Sequence, residues 1–236
     1  MFAAAHELDP KGSKKSRFFR QPIRSPFQLL AQAVVMGESR WLLCADGEWP
    51  PASVWEPLSQ ACETIVGVDG GTDAALSRKI SVNLATGDFD SITDSQIKRV
   101  SLPDQNASDL DKTLNYAAKN GADVVDIIGV EGGEIDHQLG VFAALIEAPS
   151  ELEIYMHMSE HVVMRCLEDL ELILNEGTQL SLFAFTSCVN VSISGVEYPL
   201  DCEPLAFSTR GLHNVALGGP VLIESDGALV VVISAR

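Results

Sequence analysis

Short apolar runs in the first half of the chain share one ending, and that ending restricts the fold more than any other feature. RWLLCADGEW (40–49), the start of CETIVGVDGGTDAALSRK (62–79), VNLATGDFD (82–90) and DVVDIIGV (123–130) are each short, apolar and strand-like, and each runs into an acidic residue and Gly. Helical patterns lie between them. SDLDKTLNYAAKNG (108–121) puts Leu110, Leu114 and Ala117/Ala118 on one face, with Ser108 as N-cap and Gly121 as the stop. Another helix is expected from about 137 to 147. Alternating strands and helices predict a parallel sheet covered on both faces. Ligands of such sheets bind at the carboxyl edge of the strands. Asp69, Asp88, Asp90 and Asp136 all fall at that edge.

After about residue 150 the pattern changes. LEIYMHM, ELILN, QLSLFAF, VNVSISGV, AFST and ALVVVISA are short, strand-like and separated by turn residues. The expected fold is therefore an α/β, parallel-sheet N-terminal domain followed by an all-β C-terminal sandwich. The expected division is a tail and connecting segment (1–38), an α/β domain (39–149) and a β-sandwich domain (150–236).

Charge and cysteine content exclude several function classes. The formal net charge is −17, yet residues 1–24 carry a local +4 and read as a solvated tail. The acidic body disfavours a nucleic-acid partner, which needs a basic surface. No apolar run is long enough to span a membrane, and the start lacks the order of a secretory signal. Five scattered cysteines without a C-x-x-C pair argue against a zinc site or a disulfide framework and fit reduced thiols in a cytoplasmic protein.

The chemistry concentrates in acidic loops. Asp88 and Asp90 are i, i+2 neighbours and point the same way in an extended segment, with Phe89 on the opposite side. A turn that merely contains two aspartates is the competing reading of DFD. DQNASDLDK (104–112) adds Gln105, Asp109 and Lys112, and Asp109 and Lys112 are i, i+3 neighbours on a helix. Lys112 either neutralises a phosphate oxygen or makes an ordinary exposed ion pair. GVEGGEIDHQL (129–139) supplies Gly132 and Gly133, whose backbone lets a ligand approach main-chain N–H groups, and VDGG (68–71) repeats that logic at Gly70 and Gly71. His137 is either a ligand contact or an ordinary helix-start histidine. Carboxylates gathered this closely repel unless a dication sits among them, and Mg2+ enters such sites with substrate phosphates. No Walker lysine motif, G-x-S-x-G elbow or H-E-x-x-H occurs.

In order, VDGG, GDFDS, DQNASDLDK and GGEIDH resemble the thiamine pyrophosphokinase family, and QLSLFAF, GVEYPL (195–200) and STRGLHN (208–214) resemble its C-terminal landmarks. The resemblance covers about residues 40–234. It implies transfer of pyrophosphate from ATP to the thiamine hydroxyl, giving thiamine diphosphate and AMP. It also implies a homodimer whose active site lies between one copy's α/β domain and the other's β-domain. Carried over by motif, Asp88, Asp90 and Asp109 hold Mg2+, and Asp69, Gln105 and Asp136 border the nucleotide and the attacking hydroxyl. Ser208 and Asn214 lie near the thiamine ring. Two positions depart from the pattern. Glu134 stands where the family usually has Arg, so Arg78 or Arg210 would have to replace that cation. His213 stands where Ser is usual. The alternatives are a pyrophosphokinase for another alcohol such as a pterin, a non-catalytic nucleotide or thiamine sensor, and, more weakly, a phosphatase using an aspartate of DFDS.

Overall fold

The computed structural model describes residues 38–87 and 97–235. The expected basic tail (to residue 37), Asp88 and Asp90 lie outside these residues. In chain order the described elements are β1 (Arg40–Cys44), α1 (Ala52–Ala61), β2 (Thr64–Val68), α2 (Gly71–Ser77), β3 (Leu84–Thr86), β4 (Lys98–Val100), α3 (Asp109–Lys119), β5 (Val124–Ile128), α4 (Ile135–Glu147) and β6 (Glu153–His157). There follow β7 (His161–Cys166), β8 (Asp169–Leu174), β9 (Gln179–Ala184), β10 (Cys188–Ser194), β11 (Leu200–Leu205), a 3-10 turn (Thr209–Gly211), β12 (Asn214–Val215), β13 (Gly219–Ser225) and β14 (Leu229–Ser234).

The parallel strands stand in the order β6-β5-β1-β2-β3-β4. All five residues of β1 and of β5 are buried, which is why both read as unbroken apolar runs and not as alternating ones. On one face Leu43, Val66, Val125 and Ile127 pack with Leu110 and Leu114 of α3 and Leu145 of α4. On the other, Leu42, Cys44 and Ile128 pack with Val54 and Leu58 of α1 and Ala75 of α2. The sequence reading assigns no helix to 50–61, where Pro57 interrupts the pattern; α1 forms there because Val54 and Leu58, one turn apart, bury against the sheet.

One sheet continues through both halves of the chain. β6 pairs in parallel with β5 and antiparallel with β7, after which β14, β9 and β12 complete ten strands. A second, antiparallel sheet of β11-β10-β13-β8 packs on this extension. Leu172, Leu174, Leu182, Val191, Ile193, Val221, Ile223, Leu229 and Val231 fill the space between them. β4, β7, β11, β12 and β13 are strands the sequence reading does not name. AFST (206–209), expected to be extended, instead leads into the 3-10 turn.

A charged group lies buried where the parallel strands give way to the sandwich. Asp126 on β5 accepts hydrogen bonds from Arg40 Nε (2.5 Å) and Nη2 (2.8 Å) on β1, and its Oδ1 is 2.7 Å from His157 Nε2 on β6. Burial pushes the Asp126 carboxyl up, but His157 and Arg40 outweigh it and hold the group below its usual range. Burial likewise lowers the Arg40 guanidinium, and Asp126 more than reverses this. Three strands are thereby joined by one carboxylate.

Candidate active site

The strand order creates a crevice between β1 and β5. From β1 the chain moves outward through β2, β3 and β4, and from β5 it moves the other way to β6. Loops leaving neighbouring strands in opposite directions open a gap at their carboxyl ends. Residues 45–49 and 129–134 border that gap. Ala45 N donates to Ile128 O (2.9 Å), Gly47 N to Gly129 O (2.7 Å) and Glu48 N to Glu131 O (2.7 Å). Gly132 and Gly133 follow at φ +78° and +79°. Two successive left-handed residues are strained for side chains with a Cβ, so this turn needs its glycines. Gln138, in the first turns of α4, donates from Nε2 to Val130 O (2.9 Å) and Gly132 O (2.6 Å) and closes the loop from below.

The VDGG turn lies next to this crevice. Asp69 is exposed at φ +50°, and its N–H donates to Thr86 O (2.8 Å). A Cβ on Gly71 would lie 1.9 Å from Cys44 O, so only glycine lets α2 start against the end of β1. A Cβ on Gly70 would lie 2.6 Å from the Asp46 carboxylate, which places another acid beside this turn. Sequence reasoning did not single out Asp46 or Glu48, because neither belongs to a recognisable motif.

The third element is α3. Ser108 caps it, accepting from Asp111 N (3.2 Å). Thr113 Oγ1 lies 2.7 Å from Thr86 Oγ1, and donates to Asp109 O (2.6 Å). This buried hydroxyl pair ties the first turn of α3 to the end of β3, two residues before Asp88. Asp109 is 39% exposed and pairs with Lys112 Nζ at 2.8 Å. Lys112 is only 14% exposed, so this cation is held at the edge and not swept by solvent. Gln105 is exposed and donates to Pro103 O (3.5 Å) in its own loop.

Asp136 and His137 start α4 and are exposed; Asp136 Oδ1 accepts from His137 N (2.8 Å). Glu134, at the N-cap position, makes no side-chain cap. The two cations expected to compensate for it are engaged elsewhere. Arg210 pairs with Glu203 and donates to Pro204 O (3.3 Å). Arg78 lies over the Trp49 ring, 4.4 Å from its centre, and donates to Ala74 O (2.9 Å). Near Arg78, a cleft of about 370 Å³ lined by Trp55, Ser59, Gln60, Lys79 and Ser81 runs between α1 and α2 and contains none of the acidic motifs.

Ser208 and Asn214 do not reach this edge within one chain. β12 is separated from β2 by β9, β14, β7, β6, β5 and β1, seven strand spacings or about 30 Å along the sheet. Ser208 Oγ accepts from Arg210 N (3.4 Å). The Asn214 amide is used locally: Oδ1 accepts from Tyr198 N (3.0 Å), and Nδ2 donates to Tyr198 O (2.7 Å). His213 sits at φ +53° and donates from its N–H to Ser181 Oγ (3.0 Å).

Among the described residues no three His, Cys, Asp or Glu side chains converge as a metal-binding group. All five cysteines are free thiols, and burial pushes Cys44 and Cys166 up to about 12. No helix of the described residues is long and apolar enough to cross a membrane.

This arrangement, an acidic carboxyl edge feeding a two-sheet β-half, has relatives. Residues 55–156, from α1 to β6, match the family of the thiamin pyrophosphokinase catalytic domain. The thiamine pyrophosphokinase of Bacillus subtilis (strain 168) is 28% identical over 184 residues, covering 68% of this chain and 86% of that protein. The α/β half of this chain is thus similar to that family's catalytic domain. Solved members of that family share this chain's fold through both halves. The Bacillus subtilis thiamine pyrophosphokinase structure superposes with a TM-score of 0.71 at 22% identity, covering 84% of this chain and 99% of that one. The Candida albicans thiamin pyrophosphokinase gives 0.71 at 14% identity, over 91% and 93%. The matched segment contains the VDGG, GDFDS, SDLDK and GGEIDH motifs in order.

Proposed function

We propose that this protein transfers the diphosphoryl group of ATP to the hydroxyl of thiamine, forming thiamine diphosphate and AMP. One observation carries the reading: in a chain similar to thiamine pyrophosphokinases, the loops after β1, β2 and β5 open on one edge, with carboxylates and paired glycines. Asp88, Asp90 and Asp109 would hold Mg2+. The fit rests on Asp109, a hard oxygen donor that the Thr86–Thr113 pair fixes beside the strand from which Asp88 follows. When bound, the ion neutralises phosphate charge and helps align the phosphates.

The chain's own residues position and neutralise. Main-chain N–H groups of Gly70, Gly71, Gly132 and Gly133 receive phosphate oxygens, with Asp69, Gln105 and His137 at the border. Lys112, already held beside Asp109, adds positive charge. The thiamine oxygen attacks the β-phosphorus in line, the bond from that phosphorus to the α,β-bridging oxygen breaks, and AMP leaves with the oxygen. The hydroxyl proton passes to Asp109 or Asp136. Such transfers depend on orientation and charge neutralisation more than on covalent help.

Ser208 and Asn214 would meet the thiamine of a second copy's site, making the enzyme a homodimer. The distance of β12 from the acidic edge supports this. So do Ile135 and Leu139, one turn apart on α4 at 76% and 59% exposure, and Phe207 at 67%, which leave apolar surface for a partner. The free, mostly buried thiols fit a cytoplasmic setting. Incubation of the protein with ATP, Mg2+ and thiamine should yield AMP and thiamine diphosphate in equal amounts. AMP formation that is indifferent to thiamine, or supported only by another alcohol, would refute the assignment.

A further inference from the structure

We propose that Glu131 is a positioning residue whose carboxylate clasps the Gly132–Gly133 turn to the β6–β7 connection and so presets the loop that receives the nucleotide phosphates. The proposal rests on the diphosphotransfer reading above.

Three loops meet at this one residue. Glu131 Oε2 accepts a hydrogen bond from Ser159 N at 2.7 Å, across 28 positions of sequence. Its main-chain carbonyl accepts from Glu48 N, also at 2.7 Å, and Glu48 and Glu131 form an isolated antiparallel bridge. The segments after β1, after β5 and between β6 and β7 are thus joined at the crevice. The strands beneath them are already joined by the buried Arg40–Asp126–His157 group, and His157 is only two residues before Ser159.

The glycines explain why a clasp is useful. Two adjacent glycines have little conformational preference of their own, so their neighbours must supply the restraint. A loop ordered before binding spares the ligand the entropic cost of ordering it. A carboxylate accepting a main-chain N–H is a charge-assisted bond, stronger than a neutral one. Directing Oε2 at the Ser159 amide also commits part of this negative charge to a protein donor, beside a turn meant for phosphate.

The test compares Glu131→Ala with Glu131→Gln in the full chain. Glutamine retains an oxygen for the Ser159 amide; alanine does not. Amide hydrogen exchange is followed at 129–133 and 159, and steady-state kinetics are measured with Mg·ATP varied at saturating thiamine. In Glu131→Ala, exchange at these amides and the KM for Mg·ATP should each rise on the order of tenfold, the equivalent of one lost hydrogen bond, with kcat within about twofold of wild type. Glu131→Gln should restore both. Unchanged exchange in the alanine variant, or a glutamine variant as defective as alanine, overturns the clasp. Faster exchange with an unchanged KM overturns its role in nucleotide binding. If the wild-type protein makes no AMP, the diphosphotransfer reading fails separately. In that case the exchange comparison, with and without Mg·ATP, still decides the clasp.

Discussion

The two ends of the ten-stranded sheet are built for different tasks. At the β1, β2 and β5 end, strands are short and parallel, and the described turns that follow them carry acidic residues and glycines. At the β7, β14 and β9 end, six-residue strands pair antiparallel over most of their length, and their inner faces fill a sandwich core. At that far end the Asn214 amide is satisfied locally by the Tyr198 main chain. At the acidic end, Asp136 Oδ1 accepts the His137 N–H of its own helix start, and among the described residues the Asp109 carboxylate pairs with Lys112. One end is closed on itself, and the other exposes Asp69, Asp136 and His137. On the proposed reading a complete site draws on both ends, which one copy holds about seven strand spacings apart.

Mixing two defective variants tests that reading with the largest expected effect. Asp109→Asn damages the acidic edge and Asn214→Ala damages the far end, and each alone should lack AMP-forming activity. If copies share sites, mixed dimers contain one intact site, and re-association should restore about a quarter of the wild-type rate. No recovery on mixing would show that each copy works alone.

A smaller effect is expected at the seam between the ends. Asp126→Ala leaves Arg40 buried without its carboxylate and should cost about 3–5 kcal/mol by denaturant unfolding. A loss under about 1 kcal/mol would show that the seam is not held by charge. The pH dependence has a definite sign. The folded-state carboxyl of Asp126 lies below its ordinary value, so its contribution is present above the unfolded value of about 4. It is lost as pH falls through the folded value. Stability should therefore drop on the acid side, and less steeply in Asp126→Asn. Equal slopes in the two proteins would remove Asp126 from the explanation.

The smallest effect concerns the joint between α3 and β3. Thr113→Val keeps the shape but removes the hydroxyl shared with Thr86 and Asp109 O. It should cost about 1–2 kcal/mol of stability and raise the KM for Mg·ATP more than it lowers kcat. Unchanged kinetics would mean that Asp109 is placed by α3 packing alone.

Much of this was legible before the fold, for identifiable reasons. Parallel strands buried on both faces, such as TIVGV and DVVDII, appear as continuous apolar runs that end in Asp or Gly. α3 is legible because Leu110, Leu114 and Ala117 repeat at helical spacing behind a serine cap. β13 is hidden because GGP precedes VLIES and reads as a turn, and α1 is hidden by Pro57. AFST misleads because Phe207, apolar and strand-like in sequence, instead packs as an exposed ring against Phe183 and Phe185. The placement of β1 between β2 and β5 is a long-range outcome, and so is the meeting of Arg40, Asp126 and His157 across 86 and 31 positions. Neither leaves a local pattern. For the same reason motif spacing could list Asp69, Asp109 and Asp136, but could not reveal Asp46, Glu48 or Glu131 beside them.

The claim that a divalent ion and the ATP phosphates bind at the acidic edge is tested most directly by calorimetric titration of ATP into wild-type protein and Asp88→Asn. Wild-type protein should bind one ATP per chain, and only with Mg2+ present. The variant should keep its thermal stability while losing most of that binding. Equal Mg·ATP affinity in the two proteins, or full binding by the wild type without Mg2+, would contradict the account.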